Sequence, residues 1–100
     1  MTTFAFNPNH AAEENILRLE EKFFELDRMI QRGKKIQRSI AEAVAKVTAA
    51  PQLSKRERID ALADLANRTM DINQRVRLLK KKADHLDQMI QALHEISEEV

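Results

Sequence analysis

His10 and Glu13 stand three residues apart, and His94 and Glu98 stand four apart. On a helix each spacing puts both side chains on one face. If the chain ends meet, two imidazoles and two carboxylates would offer a divalent metal four ligands. The Glu-x-x-His repeat that builds di-iron sites inside helical bundles is missing, and His and Glu are ordinary surface residues near helix ends. No metal or other cofactor is therefore expected. Covalent catalysis has less to stand on. The chain has no Cys and no Gly-rich phosphate loop, and of Ser39, Ser54 and Ser97 only Ser97 has a His at helical spacing, His94 three residues before it. His85 falls on an outer face. The expectation is a non-enzymatic protein with no small-molecule substrate.

Bases are the next candidates. Lys34, Lys35, Arg38, Arg77, Lys80, Lys81 and Lys82 lie in two short stretches and could neutralise phosphates or meet an acidic partner. No aromatic residue sits among them to stack on a nucleobase, and Glu57, Asp60, Asp64 and Asp71 dilute the second basic region. Nucleic acid is kept as the alternative partner.

These groups must be positioned by helices. From Leu62 to Val100, twelve slots alternate steps of three and four without an error. They are Leu62, Leu65, Thr69, Ile72, Val76, Leu79, Ala83, Leu86, Ile90, Leu93, Ser97 and Val100. That alternation is the seam of a coiled-coil helix. The first half repeats it at Ile16, Leu19, Phe23, Leu26, Ile30, Ile40, Val44 and Val47, with Gly33 and Gln37 in the two remaining slots. Gly33 costs about 1 kcal/mol in a helix interior, so a bend is expected there. Pro51 ends the first helix, and Ser54 with Glu57 forms a capping box for the second.

The expected fold is therefore all-α, an antiparallel two-helix hairpin of coiled-coil type that dimerises into a four-helix bundle. A tail over residues 1–7 holds Phe4 and Phe6, with Asn7 and Pro8 as a helix start. A single hairpin domain follows over 8–100: helix 8–49, turn 50–54, helix 55–99. Folding about Pro51 pairs residues whose numbers sum to 102, which sets Gly33 against Thr69, Gln37 against Leu65 and Glu20 against Lys80. The architecture is similar to that of the plasmid-copy-control four-helix bundles, in shape and without a shared motif. That likeness implies that a dimerising hairpin can bind RNA.

Net charge is +1, but it is segregated along the chain. Residues 1–27 carry −4, residues 28–49 carry +5, residues 55–82 carry +5 and residues 83–100 carry −5. A hairpin superposes the two acidic blocks at the terminal end and the two basic blocks over the middle and turn. A two-helix seam also leaves apolar residues outside it, notably Leu17, Phe24, Met29 and Ile36, and such strips mark interfaces. Met29 and Ile36 flank the seam on the side carrying Lys22, Arg68 and Arg75, with Arg32 nearby. The expectation is a protein partner held on an apolar, base-rimmed helical face, and a role as adaptor, small chaperone or inhibitor. No stretch approaches the roughly 20 apolar residues of a membrane span. With no Cys and no signal-like start, a cytoplasmic location is expected.

Overall fold

The computed structural model describes the backbone of residues 8–98 and the side chains of residues 13–98. Phe4, Phe6, the Asn7 cap, the His10 side chain and the Val100 slot lie outside it. Two helices make up the fold, α1 over Pro8–Ala49 and α2 over Lys55–Glu98, with no strand among the described residues. They pack side by side as a hairpin measuring 73 × 29 × 14 Å, a layer one helix thick. No described helix is long and apolar enough to cross a membrane.

Local chemistry fixes both ends of the turn. The Ser54 backbone N–H donates to Glu57 Oε1 at 3.1 Å, and the Glu57 N–H donates to Ser54 Oγ at 3.1 Å. This is the capping box expected from the sequence. Hydrogen bonding of the carboxyl to Ser54, to its backbone N–H first and its side chain second, holds Glu57 below its ordinary range. α1 closes with the Ala50 N–H donating to Val47 O at 3.3 Å, and Pro51 stops further winding.

The three–four seam faces inward on both helices. Every described seam slot from Leu62 to Ser97 is buried or half-buried, as is every one from Ile16 to Val47. The core centres on Ile30, Ile72, Val76 and Ala83, with Phe23, Leu26, Ile40 and Leu79 packed against it. α1 runs unbroken through Gly33.

The register differs from the one expected, by one heptad. Gly33 does not face Thr69. A Cβ built on it would lie 2.5 Å from Val76 Cγ2 and 3.8 Å from Ile72 Cδ1. Facing residues thus have numbers summing to about 109, as 33 and 76 do, instead of 102. Gln37 likewise reaches Asn73, its Nε2 donating to Oδ1 at 2.8 Å, and Glu20 Oε1 lies 3.9 Å from His94 Nε2 instead of meeting Lys80. Thr69 turns its hydroxyl back to Leu65 O at 2.8 Å.

Two features explain the shift. Arg58 occupies the seam slot ahead of Leu62, and its Nη2 donates to Ala50 O at 2.7 Å and Leu53 O at 3.4 Å. That fork satisfies carbonyls beyond the end of α1 and places Arg58 level with Ala50. Farther along, the missing side chain of Gly33 accepts Val76, which is 4% exposed. The glycine thus trades helix propensity for close helix approach. The shift preserves the charge segregation, because the acidic blocks still meet at the terminal end.

Candidate interaction surfaces

A single layer of two helices has a seam and two flanks. The helical phase assigns the exposed residues to one flank or the other. Met29, Ile36, Met89, Ile96, Lys22, Arg68, Arg75 and Lys82 fall on the first. Leu17, Phe24, Ile59 and Met70 fall on the second. The eight residues expected to bind a partner therefore divide: Leu17 and Phe24 sit apart from Lys22, Met29, Arg32, Ile36, Arg68 and Arg75.

The first flank is a groove. A depression lined by Leu19, Lys22, Met89 and Leu93 leads past Glu25 to Met29 and Arg32. From there it continues over Gly33, Val76 and Leu79 to Ile36 and Arg75, and ends at Arg68 and Asp71. Successive depressions share lining residues, so they form one trough along the hairpin. Gly33 lies in its floor between Met29 and Ile36. The groove side chains are partly walled in: Met89 is 42% exposed, Met29 43% and Ile36 48%.

The charged lining of this groove is unbalanced. Arg18, Lys22, Arg28, Arg32, Arg68 and Arg75 face three acids, Glu21, Glu25 and Asp71. Arg68 Nε is held by Asp64 Oδ2 at 3.1 Å across one helical turn, with both side chains solvated. Such an exposed pair stabilises weakly, so Arg68 can exchange Asp64 for an incoming carboxylate.

The second flank protrudes. Met70 is 68% exposed, Leu17 61% and Phe24 60%, the three highest values among the large apolar side chains. Phe24 packs edge-to-face on Phe23 of the seam, with ring centroids 6.2 Å apart and planes at 75°. That contact braces a ring otherwise surrounded by solvent. The bases considered for nucleic acid mostly share this flank and the outer arc beside it. Lys34, Lys35, Arg38, Arg77, Lys80 and Lys81 lie there, all exposed except the half-buried Lys34, whereas Lys82 lies on the groove side.

Among the described residues no three His, Asp or Glu side chains come together in a way that could hold a metal. The His10 half of the pair singled out in the sequence falls outside the described side chains. Sequence reasoning missed Arg58. Its signal was the continuation of the three–four count four residues upstream of Leu62, where a base stands in a slot that otherwise takes apolar residues. Comparison with protein-family models, with curated proteins and with solved structures returns no match.

Proposed function

We propose that this protein is a non-enzymatic interaction module, an adaptor, small chaperone or inhibitor, that works as a dimer of hairpins forming a four-helix bundle. In this reading the groove captures an amphipathic helix of a partner protein, one with an apolar stripe and acidic edges. The supporting observation is the coincidence of a chain of depressions with Met29, Ile36 and Met89 along it and a charged lining in which bases outnumber acids two to one. A helix laid in such a trough anchors through side chains spaced three and four apart. Apolar anchors supply most of the affinity, and the bases supply orientation and association rate.

Titration with a labelled acidic amphipathic peptide tests the proposal. The variant carrying Met29→Asp with Ile36→Asp should lose binding by at least about tenfold, the equivalent of about 1.4 kcal/mol, with helix content unchanged. Unaltered binding by that variant would remove the groove from the argument. A nucleic-acid-binding regulator, using Lys34, Lys35, Arg38, Arg77, Lys80, Lys81 and Lys82, is the second reading, favoured by the exposure of six of these seven bases. Salt separates the two. Counterion release makes nucleic-acid affinity fall steeply with ionic strength, whereas an apolar groove holds its partner. A pull-down from the native host, repeated at high salt, applies that criterion to the natural partner.

A further inference from the structure

The protruding flank divides into three zones along its length. At the terminal end it carries Glu13, Glu20, Asp27, Asp84, Asp87 and Glu98. In the middle it carries Lys34, Arg38, Arg77 and Lys80 and no acid. Toward the turn it carries no charge, from Ala41 to Thr48 on α1 and from Ile59 to Asn73 on α2. A surface that pairs with its own copy about a two-fold axis must complement itself. This one does so in one orientation. An axis perpendicular to the rod, near residue 29 of α1 and residue 80 of α2, lays Glu20 over Arg38 and Asp84 over Arg77 of the other copy, with Lys80 of the two copies meeting at the axis.

We propose that two copies of this chain meet on this flank in antiparallel orientation, each α1 over the other α1 and each α2 over the other α2. All four helices of the bundle then have antiparallel neighbours. An observation independent of charge leads to the same register. That axis carries the protruding Leu17 to the level of residue 41 of the second copy. A shallow depression opens there, lined by Gln37, Ile40, Ala41, Val44, Thr69 and Asn73. Knob and hole sit at the spacing that the charges require. The groove side offers no such match. Its charges are not sorted into zones: Lys22, Arg68 and Arg75 are interspersed with Glu21, Glu25 and Asp71, so no single axis lays an acidic stretch over a basic one.

The inference rests on the dimer proposed above and adds its face, orientation and register; capture of a helix in the groove does not depend on it. The chain has no Cys, so engineered thiols report cleanly. Leu17→Cys and Ala41→Cys in one chain lie on the same helix about 36 Å apart and cannot join within it. Mild oxidation should give a covalent dimer from the double variant and none from Leu17→Cys alone. Leu17→Asp with Phe24→Asp should lower the mass in solution from about 23 kDa, twice the chain mass, to 11.6 kDa, with helix content retained. Met29→Asp with Ile36→Asp should remain dimeric. Arg38→Glu should weaken the dimer, and adding Glu20→Lys should restore it.

Four results would overturn the proposal. A dimer split by the groove aspartates and not by those at Leu17 and Phe24 would assign the groove to self-association. Cross-linking of Leu17→Cys to itself would make the copies parallel. If Arg38→Glu abolished binding of a labelled RNA or DNA and Glu20→Lys restored no dimer, the basic middle would belong to nucleic acid. A wild-type chain monomeric at high micromolar concentration would remove the dimer altogether, while peptide titration would still report on the groove.

Discussion

The two flanks of this hairpin are built on the same seam and each bears exposed large apolar residues, yet they differ in relief and in charge order. On the groove side the apolar residues stand next to the seam, and Gly33 lies in the floor between them. On the other side Leu17 and Phe24 stand one position farther out and project into solvent. Bases are scattered through the groove, a pattern that suits an acidic guest. On the protruding side, acid, base and neutral zones succeed one another, a pattern that suits a copy of itself. Apolar area alone would not separate these cases, because total apolar exposure does not distinguish interfaces from ordinary surface. Position around the helix and order along it do.

The largest effect that sharpens this contrast is expected at Gly33. The added methyl of Gly33→Ala would meet Val76, whose β-branched side chain has little rotamer freedom in a helix and is 4% exposed. Overpacking at such a site costs up to about 3 kcal/mol, against about 1 kcal/mol regained in helix propensity. We expect a net loss of about 2 kcal/mol in thermal or denaturant unfolding. Val76 also lines the groove, so its displacement should lower peptide affinity while the dimer mass persists. Adding Val76→Ala should relieve the clash and recover part of the stability. If Gly33→Ala stabilised the protein, the close approach at this level would be wrong.

A smaller effect is expected from Arg68→Glu with Arg75→Glu. These bases lie only on the groove side, so their reversal should slow peptide association by about tenfold at low salt, flatten its salt dependence and leave the mass unchanged. Stopped-flow traces at two ionic strengths measure this. A change in mass on charge reversal would mean that the two flanks are not separate surfaces.

The smallest effect lies at the turn and should touch neither flank. Glu57 has a lowered folded-state pKa because hydrogen bonds to its carboxyl from Ser54, the backbone N–H first and the side chain second, favour its ionised form. The stabilisation it brings is present above the ordinary glutamate range and is lost as pH falls through the folded-state value. Ser54→Ala should cost about 1 kcal/mol near neutral pH and should diminish that acid-side loss. A cap-deficient variant whose stability matched wild type at neutral pH would show that the box contributes nothing to the hairpin.

The seam, the two helices and the capping box were legible because each depends on a short-range rule. A three–four alternation allows one inward face, Pro51 cannot continue a helix, and a Ser three residues before a Glu can close a reciprocal hydrogen bond. The composition of each flank was also fixed by the sequence, since helical phase alone separates Leu17 and Phe24 from Met29 and Ile36. Register was not. A heptad seam repeats every seven residues, so sums of 102 and 109 both give apolar layers, and the periodicity has nothing to choose between them. The fork of Arg58 on Ala50 and Leu53 and the fit of Val76 against Gly33 made the choice, and both are contacts between residues far apart or across a turn. Only that choice joined the residues near Met29, Ile36, Arg68 and Arg75 into one trough and set the depression near Ala41 at the level Leu17 would reach. Sequence decided what each face carries, and tertiary packing decided how far along the rod each part of it stands.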